Sequence, residues 1–167
     1  MIMAPGLRKF ALSMHVISSV GLLGAVASFL ALAVAGLTSQ NDQRVRAAYQ
    51  AMELIARFVI LALAFASVLT GLIQSVGTQW GLFRHYWVLA KLLLTVFATI
   101  VLLIKMELIS SAARLSAETT LPRADLRVAG LQLVIHASGG LLVLLVPAVL
   151  SVYKPLGMTR YGWRKHA

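Results

Sequence analysis

Long uncharged stretches alternate with short polar segments along this chain of 167 residues. Three stretches, 10–37, 58–83 and 128–153, contain no residue with a fixed charge. Each exceeds the roughly 20 residues that an α-helix needs to cross a bilayer. A fourth stretch, 92–104, reaches that length when it is extended back to Tyr86 with Lys91 directed toward the interface. The pattern predicts an all-α membrane protein, a four-transmembrane-helix bundle.

Prolines and polar breaks set the expected ends of the helices. Pro5 suits a first helical position, Asp42 is a good cap, and Pro122 opens the last helix. We predict a single membrane domain over 1–167, with helices at about 6–37, 44–76, 86–104 and 123–153 and a basic C-terminal tail at 154–167. The segment 105–127 is expected to be a mostly polar connection that is partly helical along the surface.

The first stretch also resembles a secretory signal, because Arg8 and Lys9 precede it and Ala33-Val34-Ala35 resembles a cleavage site. The apolar part of a signal peptide has about 7–15 residues, whereas this stretch has 28. We therefore expect a retained first transmembrane helix.

The composition is 60% apolar and 12% charged, with a net charge of +10. Such basicity would suggest a nucleic-acid-binding protein in a soluble chain. Here the basic residues border the apolar stretches, so we interpret them as membrane anchors and expect no nucleic-acid partner. The chain has no cysteine, which excludes disulfides, thiolate metal sites, iron–sulfur clusters and c-type haem attachment.

The basic residues give an expectation for orientation. Eight Lys and Arg residues lie on the side of the two termini and seven on the other side, where all five acidic residues also lie. The side of the termini is therefore wholly basic, and we predict that both termini are cytoplasmic. The basic tail would then meet the anionic leaflet, although a solvated tail without a specific lipid is an equal alternative.

Ionisable side chains inside a bilayer are costly and are functional candidates by default. The apolar stretches contain no carboxylate, which removes the parts of a carboxylate proton relay or a di-iron bundle. They do contain His15 in the first helix and His136 in the last. Two imidazoles from different helices can supply the axial nitrogens of a b-type haem. We predict haem b with His15 and His136 as iron ligands; alternatively, each imidazole only forms hydrogen bonds within the bundle.

Small residues follow both histidines at helical spacing and would leave room for a flat porphyrin. These candidate cofactor-binding residues are Ser18, Ser19 and Gly21 in the first helix, and Gly139 and Gly140 in the last. Arg57 and Lys91 are candidates to pair with the haem propionates, and simple snorkelling explains each of them equally well. Arg57 also stands four residues after Glu53, a spacing that favours an ion pair.

The depths of the two imidazoles decide whether one haem can join them. Counted from Pro5 and Pro122, their depths in a core of about 30 Å would differ by roughly 5–13 Å. A difference in depth near the low end of this range suits one tilted haem bound by both imidazoles. The high end favours separate sites or ligation between subunits, and the sequence leaves both open.

Two segments resemble small bacterial four-helix integral membrane proteins of uncharacterised function. They are Leu12-Ser13-Met14-His15-Val16-Ile17, leading to Gly21 and Gly24, and Trp87-Val88-Leu89-Ala90-Lys91-Leu92-Leu93-Leu94. More distantly, these segments resemble the copper-resistance D membrane domain and the haem-linked membrane protoporphyrinogen oxidases. The resemblance covers about half of the chain. It implies a multi-pass protein of the bacterial inner (plasma) membrane in which His15 ligates haem and Lys91 lies near the site.

The chain departs from both distant patterns. No aromatic residue directly follows His15, and the later Arg and Asn-Glu pair of the oxidases are missing. The Met- and His-rich segments expected for copper handling are missing as well. The resemblance therefore carries over neither enzymatic activity nor copper handling.

The leading hypothesis is a b-type haem-binding integral membrane protein that transfers electrons to or from a quinone or a redox partner subunit. The alternative is a cofactor-free membrane interaction or assembly subunit in a homo- or hetero-oligomer. It would associate through a stripe of small residues on the first helix. The stripe consists of Ser18, Gly21, Gly24, Ala25, Ser28, Ala31 and Ala35.

Overall fold

The computed structural model describes residues 3–77, 86–118 and 120–153. They form four helices long and apolar enough to cross a membrane: α1 (Pro5–Thr38), α2 (Asp42–Gly77), α3 (Tyr86–Ala117) and α4 (Arg123–Tyr153). No strand occurs in these three ranges. The all-α, four-helix membrane architecture is therefore confirmed. The predicted basic tail, 154–167, lies outside the described residues.

Helices α1, α2 and α4 end within two residues of their predicted bounds. The N-cap of α2 is Asn41 and not the predicted Asp42, which is the first helical residue. The Asn41 side chain accepts a hydrogen bond from the backbone N–H of Arg44 at 3.1 Å, which satisfies one of the free N–H groups of the first turn. Helix α4 continues through Pro147 to Tyr153. The predicted pair of Glu53 and Arg57 also forms, with 3.2 Å between the charged atoms.

The predicted end of the third helix at residue 104 is wrong, because α3 continues to Ala117. Charged residues between 105 and 114 suggested a connection, but Glu107 and Arg114 lie exposed and pair with each other at 2.6 Å. The other face of this part of α3 consists of small or apolar residues that are buried. They are Ile109, Ser110, Ala112, Ala113 and Ser116. This buried face stabilises the helix beyond the apolar stretch.

Helix α2 contains a π-helical stretch over Ile55–Ile60. A π-helical turn holds one more residue than an α-helical turn and shifts the faces of the helix that follow it. Ala56 and Ile60 within the stretch are both buried. The same stretch places Arg57 where its guanidinium donates to Ser110 of α3 at 3.2 Å.

Tyr49 of α2 contacts both α1 and α4 at the end of the bundle where α1 ends and α4 begins. Its ring is 1% exposed, and its hydroxyl donates to the carbonyl of Leu126 in α4 at 2.8 Å. A Cβ at Gly36 of α1 would lie 3.2 Å from the ring, and a Cβ at Gly130 of α4 would overlap the hydroxyl. The two glycines therefore make the space that the tyrosine fills.

Polar contacts surround this tyrosine and close the same end of the bundle. Arg46 donates to the carbonyl of Ser116 at 2.7 Å and so joins α2 to the end of α3. Arg123, at the start of α4, pairs with Asp42 and donates to the carbonyl of Gln40 at 2.8 Å. The bond from Arg46 satisfies a carbonyl in the last turn of α3, which the helix itself leaves free.

We expect Gly130→Ala to lower the midpoint of thermal unfolding in detergent, followed by circular dichroism. The new methyl group would displace the Tyr49 hydroxyl from Leu126, and overpacking of this kind costs about 1–3 kcal/mol. The matched control is Gly24→Ala, because a Cβ at Gly24 meets nothing within 4 Å. The control should unfold at or above the wild-type midpoint. Equal midpoints for the two variants would contradict the packing of Tyr49.

Candidate functional site

Two adjoining cavities lie along the axis of the bundle among the described residues. The first, the His15 cavity, has a volume of about 410 Å³ and is lined by all four helices. Its polar lining consists of His15 and Ser19 of α1, Ser67, Gln74 and Ser75 of α2, Trp87, Lys91 and Thr95 of α3, and Ser151 of α4. It lies toward the end of the bundle that carries the termini.

The second, the His136 cavity, is larger, with about 520 Å³, and its walls are mostly aliphatic and aromatic. It is lined by Leu22, Val26 and Phe29 of α1, Ile60 and Ala64 of α2, Phe97, Thr99 and Lys105 of α3, and Leu133, His136, Gly139 and Gly140 of α4, among others. Leu22 and Leu144 border both cavities. They are buried and lie where the two cavities meet.

The structure does not bring His15 and His136 together. Gly130 of α4 lies beside the Leu37 side chain of α1. From that level His15 lies 22 residues back along α1 and His136 six residues on along α4, and the two helices are antiparallel, so roughly 20–25 Å along the axis separate the imidazoles. This separation exceeds the expected difference of roughly 5–13 Å. One haem with both imidazoles of a single chain as its ligands does not fit this arrangement. Each histidine lines a cavity of its own.

Thr70 of α2 fixes the orientation of His15. The Thr70 hydroxyl donates its single proton to the carbonyl of Ala66 at 2.6 Å, so its oxygen accepts from the Nδ1–H of His15 at 3.1 Å. A neutral imidazole that donates through Nδ1 carries a lone pair on Nε2. The ring lies on Gly71, where a Cβ would be 3.2 Å from Cε1. The hydrogen bond to Thr70 therefore leaves Nε2 of His15 as an acceptor.

Lys91 lines the same cavity as His15. Its Nζ donates to the Ser151 hydroxyl at 2.7 Å and lies 4.9 Å from the ring centroid of Trp87. A cation over an aromatic face is stabilised by the ring quadrupole. Ser19 is the third predicted residue in this cavity, and its hydroxyl lies 2.9 Å from that of Ser67.

Sequence reasoning missed the contribution of α2 to this cavity. Ser67, Thr70 and Gln74 recur at a spacing of three and four residues within an apolar stretch, which places them on one helix face. The Gln74 side chain donates to the carbonyl of Ala11 across the α1–α2 contact at 3.0 Å. The signal was this polar stripe, because polar groups inside a membrane segment need partners within the protein.

His136 is oriented by its own helix. Its Nδ1 lies 2.6 Å from the carbonyl oxygen of Gln132, and a carbonyl only accepts, so Nδ1 carries the proton. The neutral ring then has its lone pair on Nε2. The predicted space beside it is present, because a Cβ at Gly139 or Gly140 would meet nothing within 4 Å. Lys105 lines the same cavity, and no carboxylate does so among the residues described.

The remaining predicted site residues take part in packing. Ser18 is buried and donates to the carbonyl of His15 at 3.1 Å. Gly21 lies against Leu63 of α2, where a Cβ would be 3.3 Å from the Leu63 side chain. The Arg57 guanidinium donates to Glu53 and Ser110, both at 3.2 Å. Ser18, Gly21 and Arg57 therefore belong to helix contacts and not to the lining of either cavity.

No cluster of three or more His, Asp or Glu side chains that could hold a metal ion occurs within 3–77, 86–118 and 120–153. A porphyrin supplies four of the nitrogens around its iron, so it needs only an axial ligand from the protein. Each cavity offers one such imidazole.

Comparison with known protein families, with curated proteins and with solved structures finds no match to this chain. The functional argument therefore depends on the residues of the two cavities.

Proposed function

We propose that this protein binds b-type haem in the His136 cavity and transfers electrons within the membrane. The observation that carries the proposal is the hydrogen bond of 2.6 Å between His136 Nδ1 and the Gln132 carbonyl. Metal-bound histidines commonly donate the other ring N–H to a backbone carbonyl, which fixes the tautomer and the orientation of the ring. The Nε2 lone pair of His136 is then available to an iron atom.

The shape and polarity of the cavity support an apolar, flat ligand. Its volume of about 520 Å³ lies within the range of about 300–1,000 Å³ that is typical of small-molecule sites. Gly139 and Gly140, one turn beyond His136, leave a wall without side chains. Phe97, Ile104 and Ile135 line the cavity and are also exposed on the outside of the bundle, so the cavity opens toward lipid.

The charge in the cavity supports a ligand with acidic groups. Lys91 of α3 bonds to Ser151 of α4, and the two helices run in opposite directions. Moving 14 residues along each helix away from this contact reaches Lys105 and Ala137, so Lys105 lies level with His136. A haem bound through His136 would have a cation at this depth to pair with a propionate.

The resemblance implied His15 as the haem ligand, but the cavities favour His136. The His15 cavity is smaller, about 410 Å³, and hydroxyl and amide groups line it. Porphyrin is largely apolar, and burying these polar groups against it would cost free energy. The mostly apolar walls around His136 carry no such penalty.

The absorption spectrum of the purified protein tests this proposal. We expect a Soret band after expression with added haem precursor, and we expect His136→Ala to abolish it because the axial ligand is lost. Gly139→Leu should weaken the band by filling the cavity. His15→Ala is the matched control and should retain the band. A colourless wild-type protein would refute haem binding, and loss of the band in His15→Ala alone would refute the choice of His136.

Four candidate membrane spans support a multi-pass membrane protein. We further propose that the membrane is the bacterial inner (plasma) membrane and that both termini face the cytoplasm. The support is the wholly basic set of charges on the side of the termini, since cytoplasmic segments carry an excess of Lys and Arg.

Reporter fusions at Ala167 check this orientation in bacterial cells. A green fluorescent protein fused there should fluoresce, because it folds in the cytoplasm. Alkaline phosphatase fused at the same residue should be inactive, because it needs the oxidising periplasm for its disulfides. An active phosphatase fusion together with a dark fluorescent fusion would contradict the proposed orientation.

A second candidate function, assembly through α1, is favoured by one observation. Three of the seven residues of the predicted small-residue stripe, Ser18, Gly21 and Ala25, are buried or half-buried, whereas Gly24, Ser28, Ala31 and Ala35 lie exposed on the outer face of α1. A Cβ at Gly24 would meet nothing within 4 Å. Small residues on a lipid-facing helix surface allow close approach of a second helix, so this face would hold a partner subunit or a second copy.

Light scattering of the detergent-solubilised protein tests this candidate. Gly24→Leu and Ala31→Leu should each lower the measured mass toward that of one chain, because the larger side chains keep a second helix away. Val20→Leu, at an exposed position that is already large, is the control and should leave the mass unchanged. An unchanged mass in all three variants would refute assembly through this face.

A further inference from the structure

The His15 cavity has a hydrogen-bonding lining that haem binding at His136 does not use. Most hydroxyl groups of this lining donate hydrogen bonds to backbone carbonyls of the helices that carry them. Thr95 donates to the carbonyl of Lys91 at 2.9 Å, Ser75 to that of Leu72 at 2.9 Å, and Ser151 to that of Pro147 at 2.8 Å. Because a hydroxyl has a single proton, these side chains offer the cavity lone pairs.

The two ionisable side chains in the cavity, His15 and Lys91, need opposite hydrogen-bond partners. His15 accepts through Nε2, because Thr70 holds its Nδ1 proton. Lys91 is a cation that only donates. The two groups come from different helices, α1 and α3, and line one cavity. A ligand that satisfies both must donate a hydrogen bond at one point and accept one at another.

This requirement excludes several classes of occupant. A carboxylate or phosphodiester oxygen accepts from Lys91, but it has no proton to offer the lone pair of His15. An ammonium group donates to His15, but Lys91 repels it. A neutral hydroxyl does both, because it has a proton and lone pairs. A neutral molecule with at least two oxygen atoms, one of them a hydroxyl, meets both requirements.

The walls and the opening of the cavity define the rest of the molecule. Aliphatic side chains such as Leu23, Val68 and Leu92 lie between the polar groups, and Trp87 adds an aromatic face. Val16 and Val20 line the cavity and are 49% and 62% exposed on the outside of α1. A ligand can thus enter from the bilayer, which requires a lipid-soluble compound with an apolar ring.

We propose that the His15 cavity binds the ring of a membrane-soluble quinol, a hydroquinone with an apolar tail. One ring hydroxyl donates to Nε2 of His15, and the oxygen at the other end of the ring accepts from Nζ of Lys91. The binding depends only on residues of this cavity. The role of the quinol as the electron donor or product depends on the proposed haem function.

Fluorescence of Trp87 measures this binding directly. The chain has three tryptophans, so a full-length background with Trp80→Phe and Trp163→Phe leaves Trp87 as the reporter. We expect decylubiquinol, added to this protein in detergent, to change the fluorescence saturably. His15→Phe should weaken binding about tenfold by removing the acceptor. Lys91→Met should weaken it at least as much by removing the donor.

Two further variants keep the test independent of folding and of haem. Thr70→Val retains the imidazole but frees its Nδ1 proton from its partner, so it should weaken binding by about threefold. His136→Phe is the matched control in the other cavity and should bind the quinol as the wild type does, even if it has lost haem. This control separates a failure of the quinol site from a failure of the proposed haem function.

The proposal is overturned if His15→Phe and Thr70→Val both bind decylubiquinol with wild-type affinity. It is also overturned if decylubiquinol causes no saturable change while phosphatidylglycerol does, because the cavity would then hold an anionic head group. Weaker binding in His136→Phe equal to that in His15→Phe would likewise refute a site confined to the His15 cavity.

Discussion

The chemistry of both cavities follows from one constraint, the lack of water in the hydrocarbon core. Each polar group there must find its partner within the protein, and no buried side-chain nitrogen or oxygen in the described part of the chain lacks one. Hydroxyl groups donate hydrogen bonds to helix carbonyls, as Thr70 does to Ala66. That bond makes the Thr70 oxygen an acceptor and so determines the tautomer of His15. The Gln132 carbonyl has the same effect on His136. The same hydrogen bonds that give polar side chains a partner inside the membrane therefore also orient the two imidazoles.

Glycine has opposite roles at two places along α4, near its start and at its middle. Gly130 lies against Tyr49, and with Gly36 it allows a large side chain to fill the space between helices. Gly139 and Gly140 lie beside His136 and border unfilled space. Close packing and polar contacts hold the end opposite the termini together, so the middle of the bundle can keep a cavity. The residue type is the same, and the neighbouring side chain decides which role it has.

Much of the fold could be predicted from the sequence, because uncharged stretches of membrane-spanning length have few alternatives. The end of α3 could not, since Glu107 and Arg114 suggest a connection until the buried face formed by Ile109 and its small neighbours is known. The π-helical stretch in α2 has no signal in residue type. Among the site residues, the glycines after His136 did predict open space. The separation of the two histidines could not be predicted, because it depends on how α1 and α4 are shifted along the axis relative to each other. Gly130 lies beside Leu37, near the end of α1, which places His136 far from the level of His15.

The spacing of the two histidines has an electrical consequence. About 22 Å along the axis separates their levels, which is roughly three quarters of a hydrocarbon core of about 30 Å. Any elementary charge that moved from one level to the other would cross most of the transmembrane potential. The work is about 2.3 kcal/mol per 100 mV for the full thickness, so about 1.7 kcal/mol for this distance. Charge movement between the two halves of this small bundle would therefore be coupled to the energy state of the membrane.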